Sequence, residues 1–413
     1  MARHRDRTWV AVIVVGIGLL IAAGLSLFAY IVVTATPLHP DPRDVPSVTR
    51  SAPPLAWGPA IQQARQIVRA AVAEQNLPGL SVAVGVGGEI VWTEGFGWAD
   101  LDKQVPVAPE TRFRIGTVST VLTAAAAGVL LEKGRLKLDD EIQAYVPAFP
   151  KRPWPVTLRQ VMGHVAGLRS DGGDEGPLFA EHCERPLDAL PQFAQRPLLF
   201  EPGTRFRYSR YGWIVVSAAI EAAAHEPFLR FMREQIFEPA GMHDTKADPG
   251  PAPAPGQASA YFPRFAANPR YGPDPMRDLD YSCYAGSSVF VSTPADLVRY
   301  AIAIDRGTLI QPATVRLLQM PQRLRSGQET GYGLGWEVAT VALAGKDTRM
   351  VGHDGDSLGG TVASLMTFPE HGIVVAVASN ISYANTSAVG SQVAQVFAVR
   401  GTSAARPAKA GSE

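Results

Sequence analysis

A stretch of thirty-one uncharged residues, from Thr8 to Leu38, constrains this chain more than any other feature of its sequence. About 20 apolar residues span a bilayer as a helix, whereas the apolar part of a secretory signal has only about 7 to 15. The sequence therefore predicts one uncleaved transmembrane anchor over residues 8–36. A weak small-residue cleavage site before Pro37 leaves a removable signal as the alternative.

The charges around this stretch predict its orientation. Three arginines lie within residues 1–7, and few positive charges follow the stretch closely. Positive charges before a span keep that end in the cytoplasm. We expect a single-pass membrane protein with a short cytoplasmic N-terminus and a C-terminal domain on the periplasmic or extracellular face.

Composition bounds the rest of the chain. Its 413 residues are 46% hydrophobic and 18% charged, which is enough apolar material for a large core. Lysine plus arginine equal aspartate plus glutamate, 38 against 38, so we expect no nucleic-acid partner. Composition predicts a Pro-rich linker over 37–57 that acts as an extended spacer, one domain over 58–400, and a flexible tail over 401–413.

The two cysteines leave two interpretations open. Cys183 and Cys283 lie one hundred residues apart, without the spacing of a zinc site. A compartment outside the cytoplasm would permit a disulfide between them. Two unrelated buried thiols fit the sequence equally well. We expect no metal and no cofactor.

Hydrophobic periodicity predicts strands at both ends of the domain and helices between them. Apolar positions from Ile61 to Val72 recur at helical spacing. Residues 80–100 form two β-rich runs around Gly87-Gly88, which is typical of a hairpin. Four strand-like runs and a last helix close the domain. This order predicts an α/β (α+β) fold, in which an antiparallel sheet flanked by helices carries a helical subdomain at about 140–285.

Residues 113–136 have the features of a helix that presents a nucleophile. Thr117 follows a short strand-like run and a glycine, an apolar helical pattern begins at once, and Gly134 occupies the position of a C-terminal cap. The residue one turn later, where a base would activate the Thr117 hydroxyl, is Thr120. The alternative is that Thr117 serves only as the N-cap of the helix.

Eight segments of the chain match one known family in order. They read LPGLSVAVGVGGEIVWTEGFGWAD, ETRFRIGTVST, LDDEIQAYVPAFP, VTLRQVMGHVAGL, EPGTRFRYSRYGW, AGSSVFVSTPADL, YGLGWEV and VGHDGDSLGG. Over roughly residues 60–400 the chain resembles the serine beta-lactamase and penicillin-binding-protein-like hydrolases, in particular the mitochondrial serine beta-lactamase-like branch and its bacterial relatives. The resemblance implies a beta-lactamase/transpeptidase-like fold with a cleft between a sheet domain and a helical domain. Three motifs line that cleft in the family: Ser-x-x-Lys, Tyr-x-Asn, and Lys-Thr-Gly or His-x-Gly.

The first motif reads Thr117-Val118-Ser119-Thr120. In the family the serine is acylated, and the lysine three residues later shares its helix face and takes its proton. Thr117 can attack in principle, although its β-methyl group crowds the oxygen. Thr120 is short and neutral, so it is a poor base near pH 7. We expect Thr117 and Thr120 to occupy the nucleophile and base positions.

The second motif reads Tyr208-Ser209-Arg210. The resemblance implies that Tyr208 carries protons and that Ser209 and Arg210 line the cleft. Arg210 replaces the usual asparagine and cannot act as a base, because a guanidinium stays protonated in proteins. A merely packed aromatic is the alternative for Tyr208.

The third motif is an intact His-x-Gly, His353-Asp354-Gly355. The resemblance implies that His353 lines the cleft and handles protons, with a purely structural histidine as the alternative. It also implies an oxyanion hole made by the main-chain N–H groups of Thr117 and Asp356. The carboxylates at 354 and 356 place negative charge where the relatives receive a substrate carboxylate or an oxyanion.

Three charges absent from the family motifs have complementary signs. We expect the Arg210 guanidinium to pair with the carboxylate of Asp354 or Asp356 and to fill part of the cleft. Residues 355–359 also fit the Gly-x-Ser-x-Gly nucleophile elbow, but that motif needs a helix after the serine and a strand-like run follows here. We therefore do not expect Ser357 to be the nucleophile, nor His164 to be catalytic.

Together with the predicted anchor, the resemblance implies a membrane-anchored, outward-facing hydrolase that cleaves an ester, amide or peptide bond through an acyl-enzyme. Its partner would be a small-molecule or peptide substrate, with cell-wall fragments among the candidates, and the oligomeric state stays open. Loss of a base lowers a rate by a factor on the order of 10² to 10⁴, so we expect impaired activity. The alternative is a pseudoenzyme that keeps the fold to bind or to act as a scaffold.

Overall fold

The computed structural model describes residues 2–404 except 51, 53, 171–177, 179, 180, 249, 251 and 358. The last nine residues of the predicted tail lie outside this range. The α-helices in the described part are α1 (Ala2–Thr34), α2 (Gly58–Glu74), α3 (Ser119–Glu132), α4 (Leu158–Met162), α5 (Leu190–Phe193), α6 (Arg210–Ala224), α7 (Phe228–Met232), α8 (Pro294–Asp305), α9 (Pro312–Leu318) and α10 (Thr386–Ala404).

The β-strands belong to one large sheet and two small ones. They are β1 (Ser47–Val48), β2 (Gly79–Val86), β3 (Glu89–Asp100), β4 (Val105–Pro106), β5 (Phe113–Arg114), β6 (Lys246–Ala247), β7 (Tyr261–Pro263), β8 (Pro273–Pro275), β9 (Phe290–Ser292), β10 (Glu337–Leu343), β11 (Lys346–Ser357), β12 (Thr361–Phe368) and β13 (Ile373–Ser379).

The large sheet joins the two ends of the domain, as the sequence predicts. Its strand order is β1-β3-β2-β13-β12-β11-β10, with β4 paired to β3, and every pairing is antiparallel. The central pairing joins β2 to β13, so that Val82 lies opposite Val377. Residues almost three hundred positions apart therefore complete one sheet, and the predicted mixed fold with an antiparallel sheet is confirmed.

Side-chain alternation along the strands divides the core into two layers. Val82 and Val84 face the layer that α2 and α10 cover, where Trp92 and Phe397 stack with ring centroids 6.4 Å apart. Ala83 points to the opposite layer, which contains α3, α6 and α8.

Helix α3 lies at the centre of the second layer. The sequence predicts one apolar face, but all twelve residues from Ser119 to Leu130 are buried. A helix that is surrounded on all sides needs no polar face, which explains its run of four alanines. Gly134 follows the helix with φ of +65°, in the left-handed conformation expected of a C-terminal cap.

The helical subdomain contains elements that the sequence did not reveal. Strands β6 and β9 of a small sheet of order β5-β9-β6, and the hairpin β7–β8, fall within or beside the region predicted to be helical, whereas β5 coincides with the strand-like run noted before Thr117. Their strands have only two or three residues each, too few for a periodic pattern. Cys183 and Cys283 form a disulfide, so the interpretation as two unrelated thiols is wrong.

The Pro-rich segment after α1 packs along the domain. Val45 is buried, and Ser47 and Val48 pair with β3 opposite Phe96 and Gly95. The expectation of an extended spacer is therefore wrong for residues 37–48, because this segment finds hydrogen-bond partners on the edge of the sheet. Within α1, residues Val12–Thr34 are long and apolar enough to cross a membrane.

Candidate active site

A cavity of about 350 Å³ lies where the start of α3, the end of β11 and the residues before α6 meet. It brings together side chains from segments that are far apart in the sequence. Its lining consists of Thr117, Tyr208, Arg210, Glu337, His353, Asp354, Gly355, Asp356, Val362, Ala384, Thr386 and Ser387. Of the residues predicted from the sequence, Thr120 and Ser209 are not part of this lining.

Gly355 allows β11 to approach the turn that carries Thr117. A Cβ atom added at Gly355 would lie 2.3 Å from the carbonyl oxygen of Ile115 and 2.7 Å from the main-chain nitrogen of Val118. Both atoms belong to the backbone and cannot move away as a side chain could. The glycine of the His-x-Gly motif is therefore required by packing, because only a residue without a side chain fits there.

Thr117 lies in a 3₁₀ turn, Gly116–Val118, immediately before α3. Its hydroxyl donates a hydrogen bond to the carbonyl oxygen of Asp354 on β11, at 3.2 Å. Val118 is the N-cap of α3 and no side chain caps the helix, so the N-cap interpretation of Thr117 is wrong. Thr117 as a whole is only 4% exposed, but it borders the cavity.

Thr120 lies beneath the cavity. It is completely buried, and its hydroxyl donates to the carbonyl oxygen of Thr117 at 2.8 Å. The phenol of Tyr332 lies beside the same hydroxyl. Burial raises the pKa of Tyr332 well above its usual value, and the hydrogen bond with Thr120 partly offsets this increase. The position after one helical turn therefore holds a neutral hydroxyl whose proton bonds its own helix, and such a group is too weakly basic to take the proton of Thr117.

The hydrogen bonds of His353 define its tautomer. Its Nδ1 lies 2.6 Å from the carbonyl oxygen of Asp354, and since a carbonyl only accepts, Nδ1 carries the proton. Its Nε2 lies 3.0 Å from the hydroxyl of Tyr332 and 3.5 Å from that of Tyr208, so it accepts from a phenol. Burial, followed by the positive charge of Arg210, lowers the pKa of His353 to about 4. His353 is therefore neutral near pH 7 and turns a lone pair toward the tyrosines.

Aromatic packing holds Tyr208 in place. Its ring stacks on His164 with centroids 4.1 Å apart, and Nδ1 of His164 accepts the main-chain N–H of Ser209. Burial lowers the pKa of His164 well below its usual value, so this ring stays neutral. His164 contacts the aromatic ring of Tyr208 and does not line the cavity. It therefore helps to position the second motif, and the expectation that it is not catalytic stays a prediction.

Ser209 and Arg210 form the start of α6. The Ser209 hydroxyl accepts from the N–H of Gly212 and donates to the carbonyl of Arg169, which makes Ser209 the N-cap of the helix. The expectation that Ser209 lines the cleft is wrong, because capping turns this side chain toward the backbone. Arg210, the first residue of the helix, points into the cavity.

Arg210 crosses the cavity but does not form the predicted ion pair. Its Nη2 donates to the main-chain carbonyl oxygen of Asp356 at 2.9 Å. Among the described residues, no nitrogen of Arg210 lies within 4.0 Å of the carboxylate of Asp354 or Asp356. Burial raises the pKa of Asp356 to about 6, and the positive charge of Arg210 only partly opposes this. The Arg210 guanidinium thus contacts β11 at the main-chain carbonyl of Asp356.

The side chain of Asp354 points away from His353 and Gly355, as strand alternation requires. It lies opposite Ser364 in the sheet, and the hydroxyls of Ser364 and Ser387 partly offset the burial that raises its pKa. Its main chain, by contrast, faces the cleft, because its carbonyl accepts from both Thr117 and His353. The predicted negative charge at 354 therefore sits at the rim next to α10.

Glu337 is a cavity residue that the sequence analysis missed. Burial and the negative charge of Asp354 raise its pKa to about 7, while the main-chain N–H of Asp354 acts in the opposite direction. One carboxylate oxygen lies 4.0 Å from Nδ1 of His353. Glu337 and Tyr332 both belong to the YGLGWEV segment, whose match to the family was the signal that could have identified them.

Comparisons with known proteins support the family resemblance and the fold. The beta-lactamase family model matches residues 64–398. The mitochondrial serine beta-lactamase-like protein LACTB of Mus musculus is 25% identical, over 84% of this chain and 82% of its own. Penicillin-binding protein 4* of Bacillus subtilis is 27% identical, over 67% of this chain and 62% of its own. The D-amino acid amidase of Ochrobactrum anthropi superposes with a TM-score of 0.69 at 22% identity, covering 84% of this chain and all of that one.

Proposed function

The chain belongs to the beta-lactamase family, and from that premise we propose that it is a membrane-anchored hydrolase homologue that forms an acyl-enzyme on Thr117 with impaired turnover. It has the beta-lactamase and penicillin-binding-protein-like serine hydrolase fold. The observation that carries the proposal is the convergence of Thr117, Tyr208 and His353 on one cavity. The substrate is a small molecule or peptide with an ester or amide bond.

In the acylation step, Oγ1 of Thr117 attacks the carbonyl carbon and loses its proton to the phenol oxygen of Tyr208. Tyr208 passes its own proton to Nε2 of His353, which lies 3.5 Å away. The proton then returns to the leaving alcohol or amine. Main-chain N–H groups of Thr117 and Asp356 would bind the oxyanion, since backbone donors survive side-chain substitution.

This proton path predicts slow turnover. His353 has a pKa of about 4, so protonating it at pH 7 costs roughly 4 kcal/mol. In addition, the resting Thr117 hydroxyl donates to the carbonyl of Asp354, which cannot take a proton. We assign deacylation to Glu337, whose pKa of about 7 suits a base that takes the proton of the attacking water.

A second function, binding without turnover, is favoured by one specific observation. Arg210 extends through the cavity to the carbonyl of Asp356, next to the place where an oxyanion would bind. A guanidinium in this position would hold an anionic group of a bound molecule as readily as it would assist catalysis. Under this alternative the chain keeps the fold as a pseudoenzyme, with cell-wall fragments among the candidate ligands.

We place the domain outside the cytoplasm, anchored by α1 as a single span. The apolar length of residues Val12–Thr34 supports the span, and the arginines before it support the orientation. The Cys183–Cys283 disulfide supports the same placement, because disulfides persist in oxidising compartments.

Covalent labelling tests the proposed activity. The full chain in detergent is incubated with a fluorophosphonate or a penicillin probe, and the intact mass is measured. We expect slow addition of one probe mass that disappears in Thr117→Ala. The absence of labelling in the wild-type chain, with labelling restored in the double change Thr117→Ser with Thr120→Lys, would instead support the binding function. Labelling that persists in Thr117→Ala would refute Thr117 as the nucleophile.

A further inference from the structure

The end of α1 is bound to a loop that is distant in the sequence. This loop, residues 264–272, connects β7 to β8 and is called the juxtamembrane loop below. Arg264 donates from Nη1 to the carbonyl oxygen of Thr34 and from Nη2 to the Thr34 hydroxyl, at 3.2 and 3.1 Å. A cation at the C-terminus of a helix also complements the helix dipole. The loop therefore caps α1 at the point where α1 leaves its apolar segment.

The juxtamembrane loop also extends back alongside α1. The ring of Phe265 lies 6.0 Å from that of Phe28, which precedes Thr34 by six residues. At 1.5 Å per residue, Phe28 is about 9 Å below the end of the helix. Tyr271 packs edge-on against Phe265 at 5.6 Å and completes an aromatic group beside the span. If α1 crosses a bilayer to Thr34, Phe265 lies at the depth of the membrane interface.

A buried asparagine fixes this arrangement to the domain. Asn76 follows α2 with φ of +56° and is 5% exposed. Its Oδ1 accepts from the N–H of Leu38 at 2.7 Å, and its Nδ2 donates to the carbonyl of Thr36 at 3.3 Å and reaches that of Arg270 at 3.5 Å. One side chain thus connects the segment after α1, the domain and the juxtamembrane loop. The domain is held against α1 by hydrogen bonds and has little freedom to swing away.

We infer that the juxtamembrane loop inserts into the interface of a phospholipid bilayer beside α1. The inference rests on the proposed anchor, and its partner is a lipid surface. The tip of the loop, Ala266-Ala267, is exposed and carries no polar side chain that would have to leave water. Arg270 is exposed one turn further, where a guanidinium can bind a lipid phosphate. Tyrosine is one of the aromatic residues enriched at membrane interfaces, and Tyr271 belongs to this loop.

This placement sets the height of the cleft above the membrane. Tyr261, at the base of the hairpin, pairs with Ile381, and Phe262 packs against Tyr383 with ring centroids 5.6 Å apart. The next residue, Ala384, lines the cavity. The rim of the cleft is therefore one hairpin away from the lipid headgroups, and a substrate held at the membrane surface can reach it.

Nitroxide depth measurements test the inference on the full chain in vesicles of phosphatidylcholine with phosphatidylglycerol. The two native cysteines are bonded to each other, so single cysteines can be labelled selectively. The positions are Ala266→Cys and Ala267→Cys in the loop, Leu19→Cys in the middle of α1, and Ser326→Cys as an exposed control in a loop that contacts Gly203. The readout is the collision rate with oxygen, which concentrates in lipid, relative to a water-soluble nickel chelate.

We expect the oxygen-to-nickel ratio to be highest at Leu19, several-fold above the control at Ala266 and Ala267, and lowest at Ser326. A high ratio at Leu19 with control-like ratios at both loop positions would overturn the inference and leave the anchor intact. A control-like ratio at Leu19 would overturn the anchor together with the inference. Shielding of both loop positions from both reagents would indicate a protein contact, such as a second copy, and would also overturn it.

Discussion

The raised pKa of Glu337 predicts that the wild-type fold loses stability as the pH rises. We consider the change Glu337→Gln, which removes the charge but keeps an oxygen that can accept the main-chain N–H of Asp354. The variant therefore isolates the cost of ionising Glu337 in the cavity. At a pH where Glu337 is protonated, the two proteins differ little.

The magnitude follows from the pKa values of the two states. Burial and the charge of Asp354 raise the pKa of Glu337 from 4.5 to about 7. Between these values the unfolded chain binds fewer protons than the native one, so stability falls as the pH rises from about 4.5 to about 7 and then levels off. The full shift corresponds to roughly 3 kcal/mol. Because the side chain is 38% exposed, solvent screening reduces this to about 1 to 2 kcal/mol.

Urea denaturation of the full chain in detergent, followed by tryptophan fluorescence at pH 4 and pH 8, measures this difference. We expect Glu337→Gln to raise the free energy of unfolding by about 1 to 2 kcal/mol at pH 8 and by little at pH 4. The matched control is Glu89→Gln, an exposed carboxylate on β3 that lies outside the cavity lining. A gain of equal size at both pH values, or a loss at pH 8, would refute the reasoning.

Two further predictions concern packing and the disulfide. Gly355→Ala places a methyl group 2.3 Å from the carbonyl oxygen of Ile115. We therefore expect it to destabilise the domain by about 1 to 3 kcal/mol and to abolish labelling of Thr117. The control Gly58→Ala, whose added methyl group meets no atom within 4 Å, should change neither the stability nor the labelling. Thermal or urea unfolding measures the first effect and intact mass the second. Cys183→Ser with Cys283→Ser should lower the free energy of unfolding by about 2 to 5 kcal/mol, and an unchanged value would show that the cross-link does not restrict the unfolded chain.

The large-scale fold could be predicted because its signals are long. Helix α2 and strands β11 to β13 have enough residues for a periodic pattern to stand out, and the order of strands and helices implied that both ends share a sheet. The short strands β6 to β9 were missed, because two or three residues carry no period. The packing of residues 37–48 was also missed, because their proline and polar residues are typical of a spacer. Their partners, Asn76 and the edge of β3, are distant in the sequence and are seen only in the structure.

Part of the candidate site could be predicted from the sequence, but its hydrogen bonds could not. The resemblance to the family's three motifs identified Thr117, Tyr208 and His353, which the structure brings to one cavity. The motifs could not reveal that Arg210 bonds the main-chain carbonyl of Asp356 and not the Asp356 side chain, because strand alternation and helix position decide which atoms face each other. Glu337 was missed because its raised pKa depends on burial, which a single position in a sequence does not disclose.

The two departures in the first motif are not equivalent, and the structure indicates which one limits the chemistry. Thr117 already lies at the cavity with its oxygen beside β11, so replacing it with serine removes a methyl group without supplying a proton acceptor. Thr120 is completely buried beside the phenol of Tyr332. A lysine there would be desolvated, and burial lowers a lysine pKa toward the range in which it is a neutral base. Hence the missing base is the larger defect, and Thr120→Lys alone should accelerate labelling of the chain more than Thr117→Ser alone.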